Sequence, residues 1–278
     1  MNDTAEISRA NPALFLLLID QSASMADPIG SGEGEKQAVL ADVVNKLLQN
    51  LCIKCNKQAG ILDYFHVGVL GYGGDAVTPA LGGALAGREV VTVSEIAYGN
   101  SRYEDRTKFT VDEDGEKVET LVTIPIWLDP KSDGGTPMAK ALDAAHRIVT
   151  QWVVDHPHSF PPIVLNITDG EANGGDPVPA ADRVRAVACA DGNALLFNLH
   201  LSSSSVKALH YVSNESTLPD QHTRQLYAMS SVLPPPFAEV ARSLDYVIAP
   251  GARAFVVNAG LVELIQFVEI GTRPANLR

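Results

Sequence analysis

Asp20-Gln21-Ser22-Ala23-Ser24 places one carboxylate and two hydroxyls on alternate residues. An extended or looped backbone turns alternate positions the same way, so the three oxygens can face one point. Hard oxygen donors with no His or Cys among them suit Mg2+, with Mn2+ or Ca2+ as alternatives, and not zinc. Two later stretches offer the same chemistry: Gly134-Gly135-Thr136-Pro137 and Ile167-Thr168-Asp169-Gly170. D-x-S-x-S alone occurs often by chance. The three stretches together carry more weight than the first alone.

Each stretch needs an element to hold it. Leu14–Ile19 is an unbroken apolar run, as expected of a strand covered on both faces. Pro162–Thr168 is a second such strand, ending in Asp169. Both deliver a carboxylate to a sheet's C-terminal edge, where open α/β sheets bind ligands. Pro137 opens a helix whose stripe is Met138, Ala141, Leu142, Ala145, Ile148, Val149, Trp152 and Val153. Read alone, Thr136 is the N-cap of that helix.

Asp20-x-Ser22-x-Ser24, followed by Thr136 and then Asp169, resembles the metal-ion-dependent adhesion site of von Willebrand factor A (vWA) domains, and more loosely the bacterial intracellular TerY-like type. The resemblance covers roughly residues 13–270. It implies a Rossmann-like α/β sandwich, a mostly parallel central sheet flanked by helices, with a β-hairpin insertion at about 74–130 and short tails at 1–12 and 271–278. It also implies that Ser22, Ser24 and Thr136 ligate the metal directly, while Asp20 and Asp169 act mainly through water or hydrogen bonds. The implied function is a non-catalytic protein-interaction module for an Asp or Glu of a partner. Scaffolding of Ser/Thr kinases or PP2C-type phosphatases in signalling or stress response is the implied setting. In that family the last helix can shift when the site is occupied, which extends here to Leu261–Ile270. The positive N-terminal dipole of the Pro137 helix would help receive the partner's carboxylate.

The rival is a Mg2+-dependent phosphohydrolase of the haloacid-dehalogenase type with Asp20 as nucleophile. That chemistry needs Asp-x-Asp, the second acid donating a proton. Ser22 stands at that position. No G-x-G-x-x-G follows the first strand, and no G-x-S-x-G occurs.

Composition sets the outer bounds. The 278 residues carry 21 Lys plus Arg against 33 Asp plus Glu, a formal charge of −12, with 46% apolar residues. One large domain with an ample core is expected. The acidic balance and the lack of a basic run argue against nucleic acid and an anionic membrane as partners. No apolar stretch reaches the ~20 residues that cross a bilayer. The polar start of the chain lacks the order of a signal peptide. Three cysteines argue against a disulfide framework, which points to the cytoplasm. Cys52-Ile53-Lys54-Cys55 has no second pair to complete a metal site and reads as two helix thiols.

Hydrophobic periodicity predicts helices at Lys36–Lys57, from Asp182 to about Ala190, at Gln221–Met229, at Phe237–Ser243 and over Leu261–Ile270. Strands are expected at Phe65–Tyr72, Glu89–Val93, Lys108–Val111, Lys117–Ile126, Ala194–Leu201 and Arg253–Val257. Gly71–Gly87 reads as a Gly-rich loop, and Asp112-Glu113-Asp114-Gly115 as a hairpin turn. His66 and His146 read as structural; His200 falls near the edge that carries the acids.

Overall fold

The computed structural model describes residues 7–271, apart from 31, 33, 59, 112–116 and 204–205. The turn at Asp112–Gly115 and most of both tails lie outside the described residues. The chain runs β1 (Ala13–Asp20), α1 (Lys36–Cys55), β2 (Phe65–Gly73), β3 (Ala76–Pro79), β4 (Val91–Thr92), α2 (Val93–Tyr98), β5 (Arg102–Val111), β6 (Lys117–Ile126) and α3 (Met138–Asp155). It continues with β7 (Ile163–Thr168), α4 (Val178–Ala186), β8 (Leu195–Leu201), β9 (Leu209–His210), α5 (Gln221–Met229), α6 (Pro235–Ser243), β10 (Phe255–Ala259) and α7 (Leu261–Gly271).

The central sheet has the order β9-β10-β8-β7-β1-β2-β3, with β4 also paired to β2. Strands β10, β8, β7, β1 and β2 are mutually parallel. Their neighbours β9, β3 and β4 pair antiparallel at the margins. This is a mixed α/β architecture with a mostly parallel sheet. The parallel strands lie 2-1-3-4-5 by order in the chain, so the chain steps from β1 to one side and returns on the other. The reversal opens a crevice between the C-terminal ends of β1 and β7.

Parallel strands need cover on both faces, and the apolar run of β1 supplies it. Phe15, Leu17 and Ile19 enter the core under α1, α2, α6 and α7. Leu14, Leu16 and Leu18 enter the opposite core, under α3, α4 and α5. Each such side chain contributes roughly 1.5–3 kcal/mol on burial, enough to fix which end of β1 emerges.

Several boundaries differ from expectation. Helix α1 stops at Cys55, and Asn56–Lys57 turns into a two-residue strand against Gly60–Ile61. The Gly71–Gly87 stretch holds β3 and a short 3-10 turn at Gly83–Leu85. Glu89–Val93 is strand only at β4; Val93 then opens α2 behind a Thr92–Glu95 capping box. That T-x-x-E spacing is a helix-start signal that outweighs the β-branched run before it. Strand β5 begins earlier, at Arg102. Helix α4 begins at Val178 with proline in its first turn, not at Asp182, and ends at Ala186. The last parallel strand is Phe255–Ala259, two residues later than its apolar run suggested.

The two histidines read as structural need no function. His66 accepts a hydrogen bond from Trp152 Nε1 at 3.0 Å, and His146 is half-buried on α3. Burial raises both Cys52 and Cys55 to about 11, so neither is a reactive thiolate.

Candidate metal centre

Parallel register places the two acids side by side. Ile19 pairs with Ile167 across β1 and β7, so Asp20 and Asp169 leave adjacent strand ends at the reversal. Asp20 is 1% exposed, and each of its oxygens accepts a hydrogen bond. Its Oδ1 accepts from Ser22 N at 2.8 Å, and its Oδ2 accepts from Thr168 Oγ1 at 2.6 Å. Burial raises its pKa, while the Thr168 and Ser22 hydrogen bonds pull the other way. Asp20 therefore organises the loop.

The hydroxyls sit beyond it. Ser22 Oγ and Ser24 Oγ are 3.2 Å apart, and Ser24 Oγ donates to Asp169 Oδ1 at 2.8 Å. Thr136 reaches the same space from the loop before α3. A Cβ built on Gly170 would stand 3.5 Å from Thr136 Oγ1 and 3.8 Å from Ser24 Oγ. The bare glycine thus leaves a cradle between two candidate ligands. All five sequence-derived residues, Asp20, Ser22, Ser24, Thr136 and Asp169, belong to one crevice.

Backbone bonds hold the loops at this spacing. Asp133 N donates to Gln21 O, Gly74 N to Asp133 O, and Ala23 N to Gly134 O, at 2.7–2.9 Å. The approach is close enough to demand glycine. A Cβ on Gly134, whose φ is +61°, would lie 2.5 Å from Gly74 Cα. One on Gly73 would meet Gln21 O at 2.4 Å.

Thr136 is not the N-cap of α3. That position is Pro137, with no side-chain cap. Asn173 explains the difference. Its Oδ1 accepts from Thr136 N, and its own N–H donates to Thr136 O. This clasp fixes the Thr136 backbone and leaves its hydroxyl to the crevice.

Sequence reasoning missed Thr168, Asn173 and, above all, Lys36. The Lys36 ammonium donates to Asp169 Oδ2 at 2.7 Å and lies 3.5 Å from Ser24 O. Its side chain is 5% exposed and that of Asp169 is 0% exposed. The signal was its place on the buried stripe of α1, one turn before Leu40. A basic residue on an apolar stripe asks for a buried partner.

The donors fit a hard divalent cation by chemistry and convergence: three neutral hydroxyls, a carboxylate pair and a glycine-lined cradle. Among the described residues no group of three or more His, Cys, Asp or Glu forms a metal cluster. A hydroxyl-based site does not depend on such a group.

His200 stacks edge-on against His222 with ring centroids 5.5 Å apart. His200 Nδ1 and both ring nitrogens of His222 are buried with no hydrogen-bond partner among the described residues. Burial, reinforced by His222, lowers His200 to about 4. Asp169, Asp220 and Lys36 also act on it, the two acids raising and the lysine lowering its pKa. An unfolded imidazole titrates near 6.5. Between these values only the unfolded chain takes the proton, so stability falls as pH drops from about 6.5 to about 4. The expected loss is about 2–3 kcal/mol, partly offset by Asp20, whose raised pKa favours the folded state on acidification. Urea titrations between about pH 4 and 7 should show a flatter profile for His200→Phe than for wild type. Parallel profiles would show that His200 does not govern this window.

No family model matches the chain, and no curated protein matches it. Solved structures do align. One is the adhesive tip pilin GBS104 from Streptococcus agalactiae, at 14% identity and TM-score 0.31, covering 58% of this chain and 29% of that one. The pilus adhesin RrgA from Streptococcus pneumoniae gives 13% identity and TM-score 0.28, covering 58% of this chain and 21% of its own. The pilus adhesin SpaC from Lactobacillus rhamnosus GG gives 12% identity and TM-score 0.46, covering 93% of this chain and 30% of its own. The chain spans less than a third of the length of each. No helix among the described residues is long and apolar enough to cross a membrane. The resemblance to a vWA protein of intracellular TerY-like type does not hold: no family model carries it, and the aligned structures are pilus adhesins and a tip pilin. The adhesion-site name and the signalling and stress-response setting are withdrawn with it.

Proposed function

We propose that this chain is a non-catalytic, divalent-cation-dependent protein-interaction module. The observation that carries this reading is the convergence of Ser22, Ser24 and Thr136 with Asp169 around the Gly170 cradle, at the sheet's reversal point. Bound there, Mg2+ or a similar ion would supply an electrophilic centre whose remaining positions accept an outside carboxylate. Neutral hydroxyls leave that centre poorly neutralised, which suits recognition of an Asp or Glu on a partner. Asp169 and Ser24 would hold the ion's near side, Thr136 its flank, and Asp20 the loop geometry. The parallel strand order supports a Rossmann-like reading of the sheet, and three free thiols favour a reducing compartment such as the cytoplasm.

The arrangement speaks against Asp20 as a phosphohydrolase nucleophile. Both its oxygens are committed to hydrogen bonds, and no second acid stands at Ser22 to protonate a leaving group.

Calorimetric titration with Mn2+ and Mg2+ tests the reading directly. One ion should bind per chain, and Thr136→Ala should weaken it about tenfold or more, the scale at which losses around a metal site are felt. A pull-down with Mg2+, with chelator and with Thr136→Ala should retain a partner only in the first case. Failure of every divalent ion to bind at millimolar concentration would reject the proposal.

A further inference from the structure

We infer that Lys36 is a tethered competitor for the cation, whose ammonium holds Asp169 until a divalent ion displaces it; this rests on the cation-dependent reading above. The ammonium lies 2.7 Å from Asp169 Oδ2 while Ser24 Oγ holds Asp169 Oδ1 at 2.8 Å. An ion held at Ser24 beside Asp169 would meet the ammonium within a few ångströms, inside a crevice that screens charge poorly. Two cations beside one buried carboxylate repel each other, so the ion and the ammonium compete for it.

Two features show that helix stability does not account for Lys36. It is the first residue of α1, where a positive charge opposes the helix dipole. It is also 4% exposed, although lysine is rarely buried so completely without a partner. Its burial is accounted for by Asp169 and by the carbonyl of Ser24. The tether also suits release. Lys36 sits at a helix end beside exposed Glu35, so its four-carbon stem can withdraw without unwinding the buried stripe of Leu40, Val44 and Leu47.

The consequence is a two-state crevice. With the ammonium in, the charges of Asp20, Asp169 and Lys36 leave one net negative charge and nothing to attract an acidic partner. With the ammonium out, the same oxygens face a divalent ion. Lys36 therefore sets the cation concentration at which the site becomes competent, and makes the ion's apparent affinity lower than its ligands alone would give.

Titration of Mn2+ and Mg2+ into wild type, Lys36→Gln and Lys36→Met tests this, with circular dichroism confirming the fold of each. The variants should bind about tenfold tighter or more, since the competing charge is gone. Equal or weaker binding by folded variants, with Thr136→Ala still weakening it, would overturn the competitor while leaving the cation-dependent module standing. Absence of binding in every protein would remove both. A second measurement uses wild type alone. Acylation of Lys36 by an amine-directed reagent, followed by mass spectrometry, should be slow in chelator and accelerate at saturating Mg2+. Unchanged protection while Mg2+ binds would also overturn the competitor.

Discussion

Asp169→Asn in chelator should destabilise the protein by about 3–5 kcal/mol, the scale for breaking one side of a buried ion pair. The variant takes the counter-charge away from the Lys36 ammonium, whose side chain is 5% exposed, and leaves it a neutral amide oxygen and the Ser24 carbonyl 3.5 Å away. One effect works in the opposite direction. Asp169 raises the pKa of Asp20, so its loss relieves some repulsion. That contribution is the smallest acting on Asp20, behind burial and three hydrogen bonds, so the orphaned ammonium wins. Lys36→Met/Asp169→Asn should recover most of the loss, because removing both charges abolishes the desolvation problem instead of halving it. Urea unfolding of the two singles and the double closes the cycle. A loss below about 1 kcal/mol for Asp169→Asn would mean that the pair behaves as a surface ion pair.

Lys36 also marks where sequence reasoning ran out. The five oxygen-bearing residues were legible because buried strands end where their apolar runs end, and parallel register then brings those ends together. Asp20 and Asp169 needed nothing more than Leu14–Ile19 and Pro162–Thr168 to be strands. The neighbour relation of β1 and β7 was not legible, since strand order is decided by packing far along the chain. Lys36 was hidden for a different reason: 133 residues separate it from Asp169, and its position resembled an ordinary helix start. Thr136 shows the limit of reading a residue alone. Its type fitted an N-cap, but Asn173 claims its backbone from another loop, a contact that local propensity does not encode. Ahead of the hairpin, the β-branched residues at 90–93 masked a capping box that was present in the letters all along.

The other large effect lies beneath the site. Asn166, 0% exposed in the middle of β7, should cost about 3–5 kcal/mol when changed to Leu, because two buried polar groups lose their partner at about 1–3 kcal/mol each. Tyr72 Oη donates to Asn166 Oδ1 at 2.8 Å, and Asn166 Nδ2 donates to Asn198 Oδ1 at 2.9 Å. The line continues from Asn198 Nδ2 to Ser230 Oγ, which donates to Leu226 O at the end of α5. It ties three parallel strands and a helix together on the face of α3 and α5, where a mismatched group has no water to turn to. Burial keeps the Tyr72 phenol protonated, so it remains a donor at any working pH. Tyr72→Phe/Asn166→Leu should recover part of the loss, leaving chiefly the Asn198 oxygen unsatisfied; no recovery would mean that shape, not hydrogen bonding, dominates. The network also reaches the crevice. Tyr72 is in register with Asp20, and its carbonyl accepts from Gln21 N at 2.8 Å, inside the stretch that carries Ser22. Asn166→Leu should therefore speed hydrogen exchange at Gln21 beyond what global destabilisation accounts for. Exchange at Gln21 that follows global unfolding alone would show that the ladder supports the sheet without positioning the site.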